Sequence, residues 1–134
     1  MFASCSSDVF TQKNTLVPEV AVNASLNDPS FLSIPGDFRI LPNQGYRANG
    51  IIVFNIDKQT FLAFDLTCPY LSPNECNLAM DVEDGTGVMS CAICEQSDIT
   101  FTQFKTKVTI NQKTYHLRQY KVSVQGNSLL VTNF

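Results

Sequence analysis

The stretch GYRANGIIVFNIDKQTFLAFDLTCPY, residues 45–70, reads as two strands joined by a turn and running straight into a cysteine. GIIVFNI (50–56) and TFLAFDLT (60–67) are rich in Ile, Val, Phe and Thr, which suit a pleated and packed surface. IDKQ between them carries the turn signal. Further candidates of the same kind lie on either side: FRIL (38–41), GVMSC (87–91), ITFTQF (99–104), KVTIN (107–111), LRQYKVSVQ (117–125) and SLLVTN (128–133). PGD, PNQG, EDGTG and QGN punctuate them. VSVQGNSLLV reads as a closing hairpin in which Gly126 and Asn127 supply positive φ angles. Only SLNDPSFL (25–32) offers a short helical turn. Many short strands with little helix predict an all-β sandwich or barrel.

At 134 residues the chain has room for one core. With 44% hydrophobic and 16% charged residues it is expected to fold. A net charge of −3 argues against nucleic acid or an anionic membrane as an electrostatic partner. The lysines of KTK (105–107) are too few to change that.

Beyond Cys68 the sequence continues TCPYLSPNEC (67–76), and CAIC follows at 91–94. Cys68, Cys76, Cys91 and Cys94 thus fall in one 27-residue window, with only Cys5 elsewhere. Cys68 follows one strand and Cys91 closes another, so two adjacent strand ends can bring both loops to one tip. Four thiolates can hold zinc tetrahedrally, although C-x₇-C is a wide half-site. They can also pair as two disulfides, and sequence leaves all three pairings open. Cys91 and Cys94 alone could form a redox-active C-x-x-C.

A strand ending in C-P-x, then a loop, then C-x-x-C after another strand resembles the Rieske iron–sulfur domain. LRQYKVSVQGNSLLVTN (117–133) is similar to that family's closing hairpin. More narrowly, residues 18–134 resemble Rieske-like lipoproteins of the Bacteroidetes. The resemblance implies a Rieske-like antiparallel sandwich or barrel with both cysteine loops at one tip, and an electron-transfer role. The ligand pattern departs from it. A Rieske centre takes two thiolates on one iron and two imidazoles on the other. Cys68 and Cys91 match the thiolate positions, whereas Tyr70 and Cys94 stand at the two histidine positions. His116, the one histidine, matches neither, and a lone histidine on a strand is usually a surface or core residue.

Three outcomes follow for the site. The four cysteines could hold an all-thiolate [2Fe–2S] cluster, with a potential nearer about −400 mV than the Rieske range. They could hold zinc, or they could brace the tip as disulfides. Respiratory Rieske domains carry a loop-to-loop disulfide, which gives Cys76 a structural precedent. Each bridge between the loops is worth about 3 kcal/mol in the chain-entropy model.

The N-terminus adds a setting. FASCSSD (2–8) resembles a bacterial lipoprotein cleavage site, which implies lipidation at Cys5 and a flexible tether over residues 1–17. Membrane association would then come only through that anchor. The expectation is an extracytoplasmic module of the cell envelope, where disulfides are permitted. It would serve an unknown redox or envelope partner and have no catalytic residues of its own. The leading expectation is a [2Fe–2S] or other metal module; the alternative is a clusterless, disulfide-braced domain that binds a partner.

Overall fold

A computed structural model describes residues 14–95 and 98–133, so the expected lipidation site at Cys5 lies outside the described residues. The fold is antiparallel and mostly β. Its centre is the hairpin of β3 (Ile51–Asn55) and β4 (Phe61–Asp65), paired in five-residue register from Ile51↔Asp65 to Asn55↔Phe61. All five residues of β3 are buried, because apolar material covers both faces of this hairpin. Alternation along a strand sends neighbouring side chains to opposite faces. Ile52, Phe54 and Phe64 enter one core, while Ile51, Val53, Phe61 and Ala63 enter another.

Around that hairpin stand β2 (Phe38–Leu41), β10 (Gln119–Gln125), β11 (Ser128–Thr132) and β1 (Asn23–Leu26). The six strands run in the order β1-β11-β10-β4-β3-β2. β10 joins the two halves of this sheet. Its Gln119 and Tyr120 pair with β4, and Lys121 to Gln125 pair with β11. The sheet curls into a half-barrel. A short helix, α1 (Pro29–Leu32), drops Phe31 into the second core, and Asp28 caps it by accepting from the Phe31 amide at 3.2 Å.

The first core is closed by much shorter strands. β5 (Asp81–Val82), β6 (Met89–Ser90) and β7 (Thr100–Phe101) make a three-stranded sheet of two-residue strands. GVMSC and ITFTQF were expected to be longer. ITFTQF breaks where Thr102 and Lys105 bond each other across a turn. β8 (Lys107–Ile110) and β9 (Lys113–His116) form a separate hairpin. Its turn is Asn111-Gln112, with φ of 52° and 68°, the sign pattern of a type I′ turn. The expected strand KVTIN therefore ends one residue early, in the turn, and β9 was not foreseen. At the β10–β11 turn only Gly126 has positive φ (64°), so Asn127 does not share that role.

One buried polar hub fixes the approach to the first cysteine. The Asp65 carboxylate is fully buried and accepts from the Tyr46 amide at 2.7 Å, the Thr67 amide at 2.9 Å and the Tyr120 hydroxyl at 2.6 Å. Burial, with the carboxylate beside it, pushes the Tyr120 hydroxyl well above its ordinary value. Gly45 makes the approach possible, since a Cβ there would stand 2.6 Å from Asp65 Oδ2.

The expected tether covered residues 1–17, and its described part is fastened to the domain. Val17 is fully buried, and its carbonyl accepts from Arg118 Nη2 at 2.6 Å. The Leu16 amide donates to Pro69 O at 3.0 Å, and the His116 amide to Asn14 O at 2.7 Å. The packed domain therefore includes residue 14. Among the described residues no helix is long and apolar enough to cross a membrane.

Candidate functional site

The strand β4 hands the chain to the first cysteine loop. The Leu66 carbonyl accepts from the Met80 amide at 2.7 Å, and Thr67 bridges Ala79, so the loop leaves and returns at one point. Within it the Glu75 and Cys76 amides both donate to Ser72 O, which turns the chain and aims Cys76 inward. The second loop leaves β6 directly at Cys91. The Cys94 and Glu95 amides both donate to Cys91 O at 3.0 Å, wrapping CAIC into one tight turn.

These two loops are joined twice. Cys68 bonds Cys91 and Cys76 bonds Cys94, with Cα–Cα distances of 5.9 and 5.7 Å. Of the three possible pairings the chain takes the one that links first to third and second to fourth. Both bonds run between loops, and C-A-I-C makes none within itself. Cys68, Cys76 and Cys91 are part of the first core, alongside Met80, Met89, Phe101 and Tyr70. Cys94 lies in an exposed run from Ala92 to Glu95.

Tyr70 of the first loop is buried. Its ring centre stands 6.3 Å from that of Phe101, in a tilted contact. His116 ends β9 opposite Lys107. Among the described residues no group of three or more His, Cys, Asp or Glu side chains converges to hold a metal.

The donor set can be tested directly against the two expected metal groups. A Rieske cluster needs two imidazoles, and the chain has one histidine, His116. A four-thiolate cluster or zinc needs four deprotonated thiols. Every one of the four sulfurs is instead bonded to another sulfur. In this oxidised state the four sulfurs do not fit either group.

Sequence reasoning missed the cleft beside the joined loops, about 400 Å³ in volume. Tyr70 and Leu71 of the first loop form one side, and Glu95 and Ile99 of the second form another. The β8–β9 hairpin closes it with Ile110, Asn111, Lys113 and Tyr115. Lys113 Nζ sits 5.6 Å from the centre of the Tyr115 ring, so the hairpin presents a cation on an aromatic face. The signal that could have found this wall is the Asn-Gln pair between KVTI and KTYH, a two-residue hairpin turn. Two large apolar side chains also project near the cross-links: Leu78, two residues after Cys76, and Ile93, one before Cys94, are 51% and 56% exposed.

Compared with family models, with curated proteins and with solved structures, the chain matches none.

Proposed function

We propose that this chain is an extracytoplasmic Rieske-like module that has exchanged its cluster for two disulfides, and that its tip binds an envelope partner. The observation that carries this reading is the pairing of Cys68 with Cys91 and of Cys76 with Cys94. Both positions matching the family's thiolate ligands, and one matching a histidine ligand, are taken up in covalent bonds. Two disulfides also suit an oxidising compartment. The FASCSSD stretch supports a lipid at Cys5 as the means of attachment.

A structural brace leaves the surface of the tip to do the work. Leu78 and Ile93 are half-exposed apolar side chains on loops held together by a covalent bond. Ordering a surface before binding lowers the entropy cost of association.

Metal and sulfide content, with a visible spectrum, tests the first half on protein purified without oxygen. Colourless protein free of iron and zinc, with all four cysteines oxidised, is expected. Iron and sulfide at about two each per chain would overturn the reading in favour of a four-thiolate cluster. For the second half, Leu78→Glu with Ile93→Glu should abolish cross-linking to an envelope partner in cells and leave the circular dichroism unchanged. Undiminished cross-linking would move the partner surface away from the tip.

A further inference from the structure

The two bridges differ in what can reach them. Cys68 and Cys91 are each 1% exposed, and Cys76 is 3% exposed. Their bond lies among Met80, Met89, Phe101 and Tyr70. Cys94 alone belongs to an exposed run of chain. Thiol–disulfide exchange requires a thiolate to approach one sulfur while the other leaves, so access decides which bridge reacts and which sulfur is attacked. On that ground the bridges are not equivalent.

Position adds a consequence. Cys94 immediately precedes Glu95, which lines the cleft, while Cys76 belongs to the loop that supplies Tyr70 and Leu71 to the other side. The Cys76–Cys94 bond therefore clasps two walls of the cleft to each other. The Cys68–Cys91 bond lies at the bases of the same loops, next to β4 and β6.

We propose that the Cys76–Cys94 disulfide is an exchangeable clasp on this cleft, opened by a dithiol reductant that attacks Sγ of Cys94. A thiolate of the reductant forms a new S–S bond with Cys94, and the Cys76–Cys94 bond breaks. Cys76 departs as a thiolate and takes a proton from water. The reductant's second thiolate then attacks its own sulfur in the mixed disulfide and releases Cys94 as a thiolate. Two electrons pass to the chain, and the reductant ends as a disulfide. Cys68–Cys91 remains closed, so the loops stay joined at their bases while the wall carrying Glu95 loosens.

This inference rests on the observed pairing and on exposure, not on partner binding at the tip. The test uses the full oxidised chain carrying Cys5→Ser, treated with limiting dithiothreitol under native conditions and quenched with iodoacetamide over time. Peptide mapping should find Cys76 and Cys94 labelled at least about ten-fold faster than Cys68 and Cys91. Reduced glutathione, a monothiol, should leave its adduct on Cys94. Equal labelling of all four, earlier labelling of Cys68 and Cys91, no labelling until denaturant is added, or an adduct on Cys76 would each overturn the proposal. Four cysteines already alkylated before any reductant would instead sink the disulfide reading itself. Separately, Cys76→Ala with Cys94→Ala should raise amide exchange only in residues 70–76 and 91–95. Raised exchange throughout β3, β4 and β10 would show a global staple rather than a clasp.

Discussion

The sheet side and the cysteine side of this molecule are built by different means. On the sheet side β3 pairs with β4, and β10 with β11, each over five residues, and a core of Phe31, Ile51, Val53, Leu129 and Val131 lies against them. No cysteine belongs to that core. On the cysteine side β5, β6 and β7 are two residues long, which leaves few ladder hydrogen bonds to hold long connecting loops. Two disulfides lie there, closing separations of 23 and 18 residues. The contrast shows where covalent closure is useful. Loop ordering costs entropy that a short ladder cannot offset, and a cross-link removes part of that entropy from the unfolded chain.

The largest effect should come from the side without cross-links. Phe31→Ala empties a fully buried site in the second core and is expected to cost about 3–5 kcal/mol in a denaturant titration. The disulfides should remain formed in that variant, since none of them touches this core. A smaller loss would mean that the cysteine side supports the whole fold.

Next in size are the bridges. Cys68→Ala with Cys91→Ala should cost about 3 kcal/mol from chain entropy, together with the packing lost around two buried sulfurs. Cys76→Ala with Cys94→Ala removes one buried and one exposed cysteine and should cost less. The reverse order would erase the distinction between brace and clasp.

Tyr120→Phe removes one of three donors from the buried Asp65 carboxylate and should cost about 1–2 kcal/mol by chemical denaturation. It carries a pH signature. The Tyr120 hydroxyl titrates above its ordinary value in the folded chain, so its contribution is complete below about pH 10 and is lost as pH rises beyond that. The variant should therefore show a smaller alkaline loss of stability than the parent.

The smallest effect lies at the surface. Hydrogen bonds from Ser30, Arg39 and the Phe31 amide hold the Asp28 carboxyl down to about 2. Its contribution is present above the ordinary carboxylate value of about 4 and fades as pH falls through about 2. Asp28→Asn should flatten that acid limb slightly and leave stability at neutral pH changed mainly by the weaker cap.

How much of this was legible depends on how local the cause is. β3, β4 and the β10–β11 hairpin follow from apolar and β-branched runs broken by turn residues, and each appears near its expected place. The all-β class follows with them. β9 was missed because Asn111 and Gln112 take left-handed φ without a glycine, so the Asn-Gln pair is the one local sign of its turn. GVMSC and ITFTQF overran because apolar content marks burial, while strand length depends on the partner's reach. Residues 14–17 were read as tether from their polarity, yet backbone bonds to Pro69 and His116 and a bond from the Arg118 guanidinium hold them. Those partners lie far along the chain and leave no local trace.

The four cysteines were visible as a cluster, and their pairing was not. Spacing says that two loops carry two sulfurs each; which sulfurs meet depends on how β4 and β6 are set side by side. The cleft was invisible for the same reason, since its walls come from three separated segments.

The pairing is also where the whole reading is most exposed to test. Proteolysis of the alkylated, unreduced chain, followed by mass spectrometry of the linked peptides, measures it directly. One peptide pair joined through Cys68 and Cys91, and a second through Cys76 and Cys94, are expected, each about two daltons below the summed mass of its two reduced peptides. A bridge between Cys91 and Cys94, or four alkylated cysteines in protein that carries stoichiometric iron or zinc, would contradict it.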